Sequence, residues 1–524
     1  MRAAHRLASI ATALAAAVAL AACGGDDGDD AGPAALVPAD VPAYVELAVQ
    51  PEGEARDNAE AALEKVTGSD DPGADIAALF EDAAGGGPGD FTEDIEPWLG
   101  ERLGIYPSSL AGDTETVLVV ETTDGDEALD AFEDEGESEQ EYEGHTLLIN
   151  SDGDAVSLVD DFIVFGRPAG VRQVVDVAEG DDALAGSDQF TDAIDELPED
   201  RLATLFALPR SFFEAIPRRE IDPQGRELLL QAMGDAADEP VLGDVTASGE
   251  QLTLELSAGG GGVETGQSEL LGQVPGDSWL AIALADIGAA IENGLDQTAE
   301  ARIPGLSAEA LRREVQAETG IDLERAAASL GDGAVFVQGT SDESLGGAVV
   351  IETTDAAASA ELLANLQELI GSSGVEVEPL ASTEGDQGFQ IALPGADDAG
   401  GAAEIPGASP DAVVTQPITV VQRDDRIVAA YGGEALNQAL SADGGEPLQG
   451  TAVFRRAREA AGELGIDAFV SVAPLVQLAE STGLAEDASY ARLKPYLDAL
   501  DFLALAVGGD GDRGILRFTL GLGE

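Results

Sequence analysis

The sequence predicts an α+β fold: two tandem homologous modules, each a mainly antiparallel sheet with packed helices. Three observations predict it. Short runs rich in β-branched residues, such as VELAV (45–49), AVSLV (155–159) and FIVFG (162–166), are bounded by Asp, Gly or Asn. Several of these runs are joined by connections too short for a parallel crossover, so they must pair antiparallel. Helical stretches lie among the strands without a regular βαβ alternation, and the whole pattern occurs twice.

Taken in order, residues 1–22 read as an export signal. Arg2, His5 and Arg6 precede a small and apolar run too short for a membrane span, which ends in Leu20-Ala21-Ala22-Cys23. This resembles a bacterial lipobox, where cleavage leaves the cysteine as a lipidated first residue. Cys23 is the only cysteine in the chain. It is the expected lipidation site, and the mature chain has no disulfide. Residues 23–36 carry Gly and Asp without apolar periodicity and read as an acidic flexible tether.

The first module covers 37–256. Its strands are VELAV, TETVLVVETT, HTLLIN, AVSLV, FIVFG and a closing QLTLELS, and its helices EARDNAEAALEKV, DEALDAFED and GVRQVVDVA. Asp124 is placed to cap the second of these helices, with Glu127 as its capping partner three residues on. Residues 257–267 (SAGGGGVETGQ) form a Gly-rich linker. The second module covers 268–524, with helices AAASAELLANLQELIG and EALNQALS in matching places. There Asp355 is kept but Ala358 stands at the third position, so only the simple cap remains. Residues 393–412, small, acidic and Pro/Gly-rich, read as a loop insertion peculiar to this half.

The repeat rests on ordered matches. Residues 99–124 and 330–355 align without a gap, with seven of 26 positions identical, five of them at a strand end reading V-[VI]-E-T-T-D. Pro38-Ala39-Asp40 echoes Pro275-Gly276-Asp277. Asp160-Asp161 before FIV echoes Asp424-Asp425 before RIV. Leu184 and Phe190 fall opposite Leu448 and Phe454 with the same spacing, and both halves finish on alternating strands.

The chemistry-bearing residues are sparse. His5 leaves with the signal, so His145 is the mature chain's single histidine and reads as a surface residue on an edge strand. Zinc sites built on His or Cys and His-based triads lose their ligands and bases. There is no G-x-S-x-G, no H-E-x-x-H and no phosphate-binding G-x-x-x-x-G-K-[ST], and Lys65 and Lys494 are the only lysines. Asn150, Asp152 and Asp154 have the first three spacings of a calcium loop, but Ala155 stands where that loop needs Gly. They read as a hairpin turn, as do Asp510 and Asp512. No metal site, cofactor or catalytic residue is implied. Trp98, ahead of Leu99-Gly100, reads as a packing residue.

With the lipobox, PADVPAYVELAV, DIEPWLGERLG and VLVVETTD in view, the chain resembles a family of uncharacterised actinobacterial envelope lipoproteins known only as a domain of unknown function. The resemblance implies export, surface attachment and framework roles for Pro38, Asp40, Pro97, Trp98, Leu99 and Gly100. It supplies no substrate. The second half departs from it, with Arg325 and no tryptophan in DLERAAASLG.

The function expected is that of a lipid-anchored extracytoplasmic protein, non-enzymatic, that binds or supports something outside the membrane. The membrane, through Cys23, is its partner, with an envelope protein or a lipid as further candidates. The alternatives are a carrier of a lipid or small apolar ligand in a groove between modules, and a carboxylate-based hydrolase. Nucleic acid is excluded as a partner, because 102 Asp and Glu face only 25 Lys and Arg, for a net charge of -77. Removing the signal takes away two arginines and no acid. Acidity spread over both halves points to a saline, halophilic setting in which salt screens the self-repulsion.

Overall fold

A computed structural model describes residues 32–67, 95–110, 115–133, 138–217, 221–260, 268–300, 307–341, 343–380, 387–392, 417–440, 445–510 and 513–523. The signal, Cys23, most of the tether, residues 261–267 of the linker and the 393–412 insertion lie outside these. The fold is a mixed α+β arrangement with extensive antiparallel sheet and packed helices. The chain divides into two compact units. Unit 1 comprises residues 1–263, 508–518 and 522–524, and unit 2 comprises 264–507 and 519–521.

In unit 1 the strands are β1 (Ala43–Ala48), β2 (Leu99–Ser109), β3 (Glu115–Thr122), β4 (Ser138–Tyr142), β5 (His145–Ile149), β6 (Ala155–Val159), β7 (Phe162–Gly166), β8 (Ala203–Ala207), β9 (Val241–Ser248) and β10 (Gln251–Gly259). Their order across the sheet is β10-β9-β8-β1-β2-β3-β7-β6-β5-β4, all antiparallel. The tight links expected from sequence set this register. Val159 pairs with Phe162 across Asp160-Asp161, with Asp160 at φ 51°, a left-handed conformation Asp tolerates better than most residues. Glu143 and Gly144, both at positive φ, turn β4 into β5 in the manner of a type I′ hairpin.

Strand β4 has no apolar alternation; four of its five residues are exposed. Among the described residues it pairs only with β5, and Glu139 and Glu141 charge the outer edge against further pairing. His145 therefore does not sit on an edge strand. β5 lies between β4 and β6, and the half-buried imidazole donates from Nδ1 to the Leu158 carbonyl at 3.2 Å.

The helix Pro168–Ala178 shows how sequence period becomes packing. Val171, Val174 and Val175, spaced along one face, are fully buried against β3, β5, β6 and β7. Gly170 permits the approach: a Cβ there would lie 2.4 Å from a Val117 methyl carbon. Tyr44, Phe190 and Phe206 form an edge-to-face series with centroids 5.8 and 5.2 Å apart, deep in the same core. The Tyr44 hydroxyl donates to Glu46 Oε2 at 2.6 Å, and burial pushes its pKa well above the phenol range.

Unit 2 contains β11 (Ser278–Leu284), β12 (Leu330–Gln338), β13 (Gly346–Thr353), β14 (Val377–Pro379), β15 (Gln387–Ile391), β16 (Ile418–Arg423), β17 (Arg426–Tyr431), β18 (Ala468–Ser471) and β19 (Leu500–Asp510) as far as Val507. Their order is β19-β18-β11-β12-β13-β17-β16-β15-β14. The outer strand β14 is three residues long and ends in Pro, a short, donor-poor edge. Phe454 and Phe469 meet edge-to-face at 5.1 Å within the core. The last strand, β20 (Arg513–Leu522), follows β19, and its residues through Phe518 belong to unit 1, where β20 pairs with β10.

Both expected caps form. Asp124 Oδ1 accepts from the Glu127 amide at 3.1 Å, while the Asp124 amide is taken by Thr122 Oγ1 at 3.2 Å instead of by the Glu127 carboxylate. Asp355 Oδ1 accepts from the Ala357 and Ala358 amides at 3.0 and 3.1 Å, starting the helix Ala356–Ser372. Asp355→Ala is expected to lower stability by about 1 kcal/mol in a denaturant titration, and Asp355→Asn to keep most of it.

Candidate functional site

Two places gather polar groups by more than chance neighbourhood on an acidic surface. One lies in unit 1, where β8, β9 and β10 run side by side. The register sets Asp244 of β9 between Thr204 of β8 and Glu255 of β10. Asp244 is only 6% exposed. Burial, reinforced by the Glu255 charge, pushes its carboxyl up to about 6, against the opposing pull of Arg201 and Arg517. Glu255 Oε2 accepts from Arg517 Nε and Nη2 at 2.8 and 2.5 Å, and Arg201 Nε donates to Thr204 Oγ1 at 2.8 Å.

Two neighbouring carboxyls, one with its pKa raised toward neutrality, are a starting point for acid–base chemistry. Here the high-pKa member is closed off from solvent and the other is held by an arginine. The arrangement joins strands; it offers no open floor to a substrate.

The second place is an open cleft of about 470 Å³ in unit 2, beside the β16–β17 turn. Arg423, Asp424, Asp425 and Arg426 line it together with Gln273, Gln438 and Glu446. Arg426 Nη2 donates to Gln273 Oε1 at 3.0 Å and stands 3.7 Å from Glu352. Gln438 Oε1 is buried without a hydrogen-bond partner. The lining is mixed in charge and largely polar, suited to a small polar solute and not to a hydrocarbon chain.

The framework residues fall where the chain changes direction. Pro38 bridges Ala183, and Asp40 and Pro97 are exposed. Trp98 is buried against Ala128 and Ile163. Its carbonyl accepts from Thr122 Oγ1 at 2.8 Å and the Thr123 amide at 2.9 Å, which explains the Thr pair of ETTD. Leu99 and Gly100 open β2, and Gly100 lies flat against Glu121 of β3. The Asn150 turn is a turn: Asn150 Oδ1 accepts from the amides of Asp152 and Asp154 at 3.1 and 2.9 Å. That oxygen therefore faces backbone donors instead of a cation. Asp510 ends β19 and Asp512 is outside the described residues, as is Cys23.

Among the described residues no group of three or more His, Cys, Asp or Glu could hold a metal ion, and no helix is long and apolar enough to cross a membrane. Sequence reasoning did not single out Asp244 or the Gln438 cleft. An Asp inside the apolar run Val241-Leu242-Gly243-Asp244-Val245 is a signal, but one submerged among 102 acidic residues.

The pattern of a family described as a protein of unknown function (DUF3352) matches residues 3–518. No curated protein matches the chain. Among solved structures, crystal form I of TP0453 is 12% identical with a TM-score of 0.25, covering 45% of this chain and 82% of that one. Crystal form IV of the same protein is 10% identical with a TM-score of 0.19, covering 79% and 98%. At such TM-scores the likeness carries no weight for function.

Proposed function

We propose that this chain, which belongs to the DUF3352 family, is an exported envelope protein held at the outer face of the cell membrane by lipid on Cys23. It serves there as a non-enzymatic binding or structural component. The observation that carries this reading is the lipobox at the chain's only cysteine. Also in its favour, the folded chain begins close behind: Pro33, Ala34, Leu36 and Val37 are already buried. The tether is thus short, and the anchored fold stays near the lipid. An actinobacterial source and a saline working environment are part of the same proposal, resting on the sequence resemblance and on the charge.

The two-module organisation, with the boundaries given above, belongs to the proposal too. In support of a duplication, each sheet follows the same strand order once β1–β9 are set against β11–β19. The Thr123 amide donates to the Trp98 carbonyl at 2.9 Å and the Thr354 amide to the Ser329 carbonyl at 3.0 Å, at matching places in the alignment. Leu184 likewise donates to Val37 and Leu448 to Val274, at 2.7 and 2.8 Å.

The test is metabolic labelling with an alkyne fatty acid in a bacterial host with lipoprotein maturation. The wild type is expected to carry label and to sediment with membranes, and Cys23→Ala to lose both. Unlabelled wild type in the soluble fraction would overturn the reading. Carriage of a lipid or small apolar ligand is the alternative, favoured by one observation in unit 1: Phe212, Leu228 and Leu229 are exposed on adjacent helices.

A further inference from the structure

The buried acid of unit 1 is served by a cation from the chain's last strand. Asp244 of β9 is 6% exposed, and its carboxylate takes no hydrogen bond among the described residues. Burial is the chief obstacle to its ionisation. Glu255, facing it from β10, and Asp200, in the turn ahead of β8, add to that obstacle, while Arg201 and Arg517 oppose it. Arg201 is engaged locally, with Thr204 Oγ1 at 2.8 Å and the Pro198 carbonyl at 2.7 Å. Glu46 stands beyond Thr204 on β1 and accepts from the Tyr44 hydroxyl.

Arg517 belongs to β20, which lies against β10. Two arginines of β20 hold it there. Arg513 Nη2 donates to the Pro240 and Ser257 carbonyls at 3.0 and 3.2 Å. Arg517 donates from Nε and Nη2 to Glu255 Oε2 at 2.8 and 2.5 Å. The register sets Glu255 directly opposite Asp244, so the guanidinium that binds one carboxylate also acts on the other. Like charges directly across an antiparallel pair repel, and a cation beside them relieves that repulsion.

Reciprocity fixes the direction of the effect. Arg517 favours the ionised form of Asp244, so ionised Asp244 favours the docked position of Arg517 by the same factor. The burial of Asp244 is supplied by the strands on either side of it, β8 and β10, and not by β20.

We infer that β20 is a charge-gated strap on unit 1, held most firmly to β10 when Asp244 is ionised and released more readily when it is protonated. The change falls in mild acid, since the Asp244 carboxyl is lifted to about 6. The sheet and its strap therefore respond to acid in opposite directions. Protonation of Asp244 relieves the buried sheet of a charge, and it takes from Arg517 part of what keeps β20 in place. The coupling is independent of lipid on Cys23.

Hydrogen–deuterium exchange of the full mature chain tests it, read by mass spectrometry at pH 5 and 7.5 and corrected for the intrinsic exchange rate. Peptides covering β10 and β20 are expected to be about fivefold better protected at pH 7.5, the lower end of such couplings. Peptides covering β5, β6 and β7 should show no such gain. Asp244→Asn should abolish the pH step. Arg517→Met should lower the protection of β20 at both pH values and abolish the step, and Arg517→Lys, which keeps the charge, should retain part of it. Should Arg517→Met fail to fold, Asp244→Asn still decides, because it keeps the shape of the neutral acid. Protection of β20 that is equal or greater at pH 5 overturns the inference, as does a step that persists in Asp244→Asn. A step of equal size in β5, β6 and β7 also overturns it, because the whole unit would then be opening.

Discussion

Phe469→Ala is expected to destabilise the protein by about 3–5 kcal/mol, the upper range for an aromatic core truncation. Phe469 sits on β18 between β11 and β19, 1% exposed. Its ring lies edge-to-face with Phe454 at 5.1 Å and stacked with Phe502 at 6.4 Å. Its register partners are Ala281 and Ala504, both buried. Neither alanine is large enough to fill the void, and strands bonded on both sides cannot collapse into it. The loss should therefore include most of the cavity cost along with the transfer cost. Guanidinium unfolding should show the loss as a lower midpoint for the transition that reports unit 2. Leu503→Ala, on a 45% exposed neighbour in β19, should change it by less than 1 kcal/mol. A Phe469→Ala midpoint within 1 kcal/mol of the parent would mean that this aromatic stack does not hold the core.

Asp244→Asn is expected to stabilise the protein at pH 7 and to leave it unchanged at pH 3. The folded carboxyl is raised from 3.8 to about 6, chiefly by burial. The native state thus binds the proton more tightly than the unfolded chain. Stability from the protonated Asp244 is fully present below about pH 4 and is lost as pH rises through about 6. The penalty at neutrality is about 3 kcal/mol at most, and solvent reaching the partly exposed Glu255–Arg517 pair beside it lowers that figure. Asn keeps the shape of the neutral acid and never ionises, so the pH dependence between 4 and 7 should flatten in the variant. Chemical unfolding at pH 3, 5 and 7 measures it. A parent and variant with parallel pH profiles would show that Asp244 is solvated and ionised in the fold.

Strands and caps were legible because each is written in a few consecutive residues. AVSLV and FIVFG alternate or run apolar, Asp160-Asp161 fits only a tight turn, and Asp124 and Asp355 precede helices as caps do. β4 was not legible, since SEQEY has neither alternation nor β-formers; it is a strand because the Glu143-Gly144 turn folds it back along β5. His145 was misplaced for the same reason: without β4, β5 looks like an edge. The Asp244 cluster depends on the register of three strands, one of which precedes the others by more than 30 residues. The unit 2 cleft draws on segments from Gln273 to Gln449. No local pattern announces such meetings. Leu228 and Leu229 were visible as letters, but their exposure is a property of what fails to cover them.

The place of β20 beside β10 also bears on the order in which the protein can be made. Arg517 reaches Glu255, 262 residues upstream, and Arg513 reaches the Ser257 carbonyl at 3.2 Å. During synthesis β1 to β10 emerge and can pair while the strand that covers the free side of β10 has yet to be translated. For that interval unit 1 presents an open sheet edge, the feature most prone to capture by another nascent chain. The first half of the fold thus waits, with one sheet edge open, until β20 has been translated.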